Sequence, residues 1–150
     1  FVELMNQKAE KMGLSNTHFE NPTGLFHEDH KTTSREIASI MAYAMKMSLC
    51  RKVLMTNAYP TTYTLAEGQS RACTFYHKLT VTHFGNVTNP QPKTVTVLTG
   101  KTGYTDESRH CLVTYAETKD GKGYVCVTAS AASYYEYIED YITIYNTYVK

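Results

Sequence analysis

The stretch Thr94-Val95-Thr96-Val97-Leu98-Thr99-Gly100-Lys101-Thr102-Gly103-Tyr104-Thr105 constrains the fold more than any other. Its first half is β-branched and apolar, which suits the pleated surface of a buried or half-buried strand. Its second half sets an ammonium, a hydroxyl and bare backbone in succession. Glycines on either side of Lys101 and Thr102 let a ligand approach the main chain closely, which is how an anion or a carbonyl oxygen is gripped.

A chain of 150 residues is the length of one domain and buries roughly 70% of its unfolded surface. A net charge of +1 without a basic block argues against a nucleic-acid partner. No apolar run approaches the roughly eighteen residues needed to span a membrane. The chain opens on Phe1-Val2-Glu3-Leu4-Met5, which reads as the inside of a helix and suggests a piece of something longer. Cys50, Cys73, Cys111 and Cys126 show no CxxC spacing. Free, buried thiols are favoured over disulfides in a domain that needs no staples.

Residues 1–13 carry Val2, Met5, Ala9 and Met12 at helical spacing, and Gly13 supplies a stop. Residues 14–25 are rich in turn formers and read as an ordered loop. Thr33-Ser34-Arg35-Glu36 has the form of a capping box, with Glu36 reaching back to Thr33. The helix behind it presents Ile37, Ile40, Met41, Ala44 and Met45. Residues 49–66 are too mixed to assign. Residues 67–93, with Gly68, Gly85, Asn86, Asn89, Pro90 and Pro92, predict a long irregular excursion. Two strands follow the opening one, His110–Ala116 and Tyr124–Ala129, joined through an Asp120-Gly121 turn. The last segment has Tyr134, Ile138, Tyr141, Ile142, Tyr145 and Tyr148 at helical spacing and should pack on the sheet. Consecutive strands on short turns pair antiparallel, so the class is α+β, an antiparallel sheet packed with helices.

Few residues outside the first stretch attract a chemical reading. His27 and His30 stand three apart, but a metal site wants a third ligand and a supporting shell that cannot be named, so no metal is assigned. His18, His77, His83 and His110 are isolated. The strand cysteines have no neighbouring cation to lower their pKa, as inert thiols do. Asp106 and Glu107 read as a solvated hairpin tip.

The triplet Lys101-Thr102-Gly103 closes an apolar strand and is followed by another strand after a short turn, the setting it has in penicillin-binding proteins and β-lactamases. Further matches lie in register: Phe1-Val2-x-x-Met5-Asn6-x-Lys8-Ala9, then Gly13-Leu14-x-x-Thr17-His18-Phe19-x-Asn21-Pro22-x-Gly24-Leu25. His30-x-Thr32-Thr33-Ser34-Arg35-Glu36-Ile37-Ala38 and Cys111-Leu112-Val113 continue the series. Over roughly residues 1–130 the chain resembles the low-molecular-mass serine D-alanyl-D-alanine carboxypeptidases, which trim peptidoglycan stem peptides. The resemblance implies a partial DD-peptidase/β-lactamase-like fold, a helical cluster against an antiparallel sheet. It also implies an extracytoplasmic setting in the bacterial cell envelope and no cofactor.

Three motifs share the work in that family, and the first two, Ser-x-x-Lys and Ser-x-Asn, do not occur in this chain. The resemblance therefore implies that residues 1–150 are the C-terminal portion of one catalytic domain. Its partners are then a peptidoglycan stem peptide or β-lactam and the N-terminal part of the domain, and it is inactive alone. On the carried-over motif Lys101 supplies charge and Thr102 bonds the terminal carboxylate. Gly103 lets the substrate lie as an added strand, the N–H of Tyr104 is one oxyanion donor, and Thr105 adds a hydroxyl. Where the family commonly has Ala-Gly, this chain has Ser108-Arg109; Arg109 is a candidate second cation for the carboxylate. A non-catalytic binding or structural domain and a β-lactamase-like hydrolase are the alternatives.

Overall fold

The protein is described from a computed structural model over residues 1–77, 79 and 90–150. Its first helix, α1 (Val2–Lys11), ends as expected: Gly13 takes φ 73°, the left-handed conformation that glycine adopts without a Cβ penalty. Helix α2 (Ser34–Lys46) starts on Thr33, whose Oγ1 accepts the N–H of Glu36 at 3.2 Å. The expected reciprocal half of the capping box is not made. The carboxylate of Glu36 instead accepts from the Asn16 backbone N–H and side-chain amide and, at 2.5 Å, from the Thr17 hydroxyl. Buried at 7% exposure, it gains more from three loop donors than from its own helix end. It thereby pins the loop that follows α1.

Two assignments change between 47 and 93. Residues Ser48–Leu54 form a short helix, α3, and Ala58–Thr64 (β1) pairs antiparallel with Ser70–Tyr76 (β2). The expected irregular excursion therefore begins with a strand, because Tyr59, Tyr63, Phe75 and Tyr76 favour pleated backbone despite the Pro and Gly nearby. Gly68 turns between the two strands with φ 81° and Pro90 and Pro92 lie in no helix or strand, whereas Gly85, Asn86 and Asn89, and the isolated His83, lie outside the described residues.

The second sheet has the order β3-β4-β5, from β3 (Thr96–Thr105), β4 (Arg109–Glu117) and β5 (Gly123–Ala131), all antiparallel. Gly121 in the β4–β5 turn has φ 82°, as the turn signal required. Helix α4 (Tyr134–Tyr148) covers one face and α2 the other. On the α4 face the core unites Leu112, Ala116 and Cys126 with Tyr137, Ile138, Tyr141 and Tyr145. Tyr148, counted with the packed face, is 79% exposed, and Tyr137, outside that spacing, is 2% exposed. Tyr137 thus joins the apolar stripe of α4, and Val149 rather than Tyr148 closes it. All four cysteines are free, but only Cys126 is buried; its thiol is pushed up to about 11 by that burial.

The register decides what β3 presents. Val97 lies opposite Ala116, but Thr99 lies opposite Tyr115, so Leu98 is an extra residue, a β-bulge. A one-residue shift exchanges the two faces of a strand. Thr99 and Lys101 therefore point to the α2 face, and Gly100 and Thr102 to the α4 face.

Candidate active site

Lys101, Thr102 and Gly103 occupy the middle of β3, opposite Val113, Leu112 and Cys111. Among the described residues β3 pairs only with β4, which leaves its other edge open. The strand is held firmly just ahead of the triplet. Thr99, fully buried, donates its hydroxyl to the Leu54 carbonyl at the end of α3 at 2.5 Å. Its one proton is thereby used, so the 3.2 Å contact with His77 Nε2 has the ring N–H donating to the threonine oxygen. Burial lowers the pKa of His77 and keeps the ring neutral, with the charge of Lys101 acting in the same direction. Gly100 is needed sterically: a Cβ there would lie 2.6 Å from the Val113 carbonyl oxygen and 2.6 Å from Leu79 Cδ2. At Gly103 the nearest atom to such a Cβ is 3.9 Å away. One glycine admits the neighbouring chain and the other leaves the strand face open.

Lys101, Thr102, Gly103 and Tyr104 line a cleft of about 660 Å³ on the α4 side. The triplet also borders a smaller cleft of about 330 Å³ on the α2 side, with Ile37, Cys111 and Val127. The Lys101 ammonium donates to the carbonyl of Thr102. Thr102 is nearly buried, and Tyr104 is 59% exposed, its hydroxyl donating to Asp106 Oδ1 at 2.9 Å. That bond and the negative charge of Asp106 raise the pKa of the phenol, so it stays protonated.

Two expected participants sit differently. Thr105 does not line either cleft. Its hydroxyl bonds Ser108 Oγ at 3.0 Å and accepts the Ser108 N–H, closing the β3–β4 turn. Arg109 stands opposite Thr105 at the hairpin tip, outside both linings, with φ 56°. It holds the left-handed position where a glycine would be at ease.

The structure also brings in residues that had no chemical reading in the sequence. His110, Tyr134, Tyr135 and Tyr137 form a wall of the larger cleft, and Thr23 and Gly24 enter from the loop after α1. That loop is braced by Asn21, whose Oδ1 accepts from the Thr23 hydroxyl and the N–H groups of Thr23, Gly24 and Leu25. The Asn21-Pro22-x-Gly24-Leu25 run was visible in the sequence; its position across from β3 was not. The same loop gathers Glu20, His27 and Asp29 within 4.8 Å, all exposed. His30 instead packs against Phe19 and accepts the N–H of Glu20. The Glu20 carboxylate already meets His18, and that of Asp29 meets Lys31, so this is a polar loop cluster.

A family model described as D-alanyl-D-alanine carboxypeptidase matches residues 1–132. A D-alanyl-D-alanine carboxypeptidase of Streptomyces sp. strain K15 is 29% identical over 133 residues, covering 89% of this chain and 43% of that protein. The D-alanyl-D-alanine carboxypeptidase DacF of Bacillus subtilis is 32% identical over 117 residues, 78% of this chain and 27% of its own. Among solved structures, the Streptomyces K15 DD-transpeptidase matches with a TM-score of 0.75 at 27% identity, over 97% of this chain and 53% of that one. The chain thus spans about half the length, or less, of these relatives.

Proposed function

This chain belongs to the D-alanyl-D-alanine carboxypeptidase family, and on that premise we propose that it supplies the Lys-Thr-Gly wall of a serine acyl-transfer site. The substrate is a peptidoglycan stem peptide ending in D-alanyl-D-alanine, or a β-lactam in its place. The setting is the bacterial cell envelope, outside the cytoplasm. Residues 1–150 act as the C-terminal portion of one catalytic domain, completed by an N-terminal part that carries the nucleophile.

In the complete site a serine oxygen attacks the penultimate carbonyl, forming a tetrahedral oxyanion. The C–N bond then breaks, D-alanine leaves as the amine with the transferred proton, and water hydrolyses the acyl-serine ester. This chain's share is to hold and orient. The peptide lies antiparallel along the open edge of β3, as an added strand. Its terminal carboxylate rests at Thr102, with the positive charge of Lys101 close by. Gly103 leaves room for the peptide backbone, and the Tyr104 N–H points at the developing oxyanion. Losing one such donor typically costs about 100- to 1000-fold in rate. Arg109 and Thr105 are assigned to the turn rather than to the carboxylate.

The observation that carries this reading is that among the described residues β3 has no strand partner on its outer edge, with all three residues of the triplet on one cleft. Fluorescent penicillin tests it. The chain alone should remain unlabelled, and a complex with a polypeptide bearing Ser-x-x-Lys and Ser-x-Asn should acquire a covalent label. Labelling of the chain by itself, or failure of the complex to label, overturns the proposal.

A further inference from the structure

The larger cleft does not end at the triplet. From Tyr104 a line of ring contacts runs away from β3: Tyr104 to His110 at 4.7 Å, His110 to Tyr137 at 6.0 Å, Tyr137 to Tyr134 at 5.0 Å and Tyr134 to Tyr135 at 5.9 Å between centroids. The middle of this line is rooted in the core, since Tyr137 is 2% exposed, whereas the outer rings are open, Tyr104 at 59% and Tyr135 at 64%. Rings fixed by edge and tilted contacts give a rigid, largely apolar surface that loses little entropy when covered. Thr23 and Gly24 line the same cleft from a loop already braced by Asn21. Among the lining residues the one formal cation is Lys101 and there is no carboxylate. The nearest acid in sequence, Asp106 in the β3–β4 turn, accepts the Tyr104 hydroxyl on Oδ1.

We infer that this aromatic floor is a specificity subsite for an uncharged apolar or aromatic group on the acyl side of the substrate. The inference rests on the reading of β3 as the peptide-binding edge. A peptide antiparallel to β3 with its carboxylate at Thr102 runs its N-terminal side toward Tyr104 and Thr105. With a rise of about 3.3 Å per residue, the group preceding the D-alanyl pair arrives over Tyr104 and the rings beyond it. Apolar area covered there adds affinity. An ammonium gains no carboxylate on the lining and meets the charge of Lys101.

The test titrates the complex of this chain with the polypeptide bearing Ser-x-x-Lys and Ser-x-Asn, its motif serine changed to alanine so that no acyl-enzyme forms, with Nα-acetyl-, Nα-phenylacetyl- and Nα-(6-aminohexanoyl)-D-Ala-D-Ala, following backbone and tyrosine ring signals by NMR. The phenylacetyl peptide should bind at least tenfold more tightly than the acetyl peptide, and the aminohexanoyl peptide within threefold of it. Tyr135→Ala should reduce the phenylacetyl-to-acetyl ratio below threefold, and Tyr135→Phe, which keeps the ring, should retain it. Equal binding of acetyl and phenylacetyl peptides to the complex with Tyr135 in place overturns the subsite while leaving the β3 assignment standing. Preference for the ammonium peptide, or a ratio unmoved by Tyr135→Ala, overturns it too. If no peptide perturbs β3, the proposed function itself fails.

Discussion

At the scale of single residues, the two glycines around Lys101 do different jobs. Gly100→Ala places a methyl 2.6 Å from a backbone oxygen that cannot step aside, so the variant should lose about 1–3 kcal/mol in urea denaturation of the complex with the nucleophile-bearing part. Gly103→Ala meets nothing closer than 3.9 Å. It should leave the denaturation midpoint within about 0.5 kcal/mol of the parent while weakening D-Ala-D-Ala peptide binding in the same titration. Equal loss of stability in both would contradict this division. Arg109 is the opposite case, an L-residue in the left-handed region, which costs roughly 1–2 kcal/mol. Because its side chain lines neither cleft, Arg109→Gly should raise stability by about 1 kcal/mol, somewhat offset by the freer unfolded chain. Unchanged or lower stability would show that the side chain does more than tolerate its backbone.

At the scale of elements, α1, its loop and α2 are joined by the buried Glu36 carboxylate and its donors from Asn16 and Thr17. The Thr17 bond, the largest cause, holds the pKa of Glu36 below the ordinary carboxylate value. A group with a depressed folded-state pKa contributes stability that is present above its unfolded pKa of about 4.3. That contribution is lost as the pH falls through the folded value. Thermal midpoints should therefore drop from about pH 5 downward. Glu36→Gln should lower stability near neutrality and flatten that acid limb. An acid limb of the same slope in Glu36→Gln would assign it to other carboxylates, such as Glu117, also depressed by Tyr115 and Arg51. This element link bears on the site because the same loop carries Thr23 and Gly24 to the cleft wall.

At the scale of the whole molecule, large apolar side chains remain outside: Phe1, Leu4, Leu49, Val53, Phe75 and Tyr76 are each more than 60% exposed. Leu49, Val53, Phe75 and Tyr76 border one cleft, and apolar surface grouped in this way is costly in water unless covered. The isolated chain should therefore bind ANS strongly and melt with low cooperativity, and addition of the nucleophile-bearing part should suppress both. A sharp monomeric transition without ANS binding would argue against a missing partner. Much of this molecule was legible in its residues. Local causes sufficed for the end of α1 at Gly13, the start of α2 at Thr33, the β4–β5 turn at Gly121 and the strand running into Lys101-Thr102-Gly103, because caps, turns and alternation act over a few residues. The pairing of β1 with β2 was missed because turn formers nearby outweighed the aromatic pattern, and pairing is a non-local decision. The sequence by itself determined that this chain carries a Lys-Thr-Gly triplet at the end of a strand, with the motifs of its family in order along it. Only the tertiary structure decided which way that triplet faces. The bulge at Leu98 sends Lys101 toward α2 and Thr102 toward α4, and packing of α4 lays its tyrosines beside Tyr104. Both depend on register and packing between distant segments, which spacing along one strand does not encode.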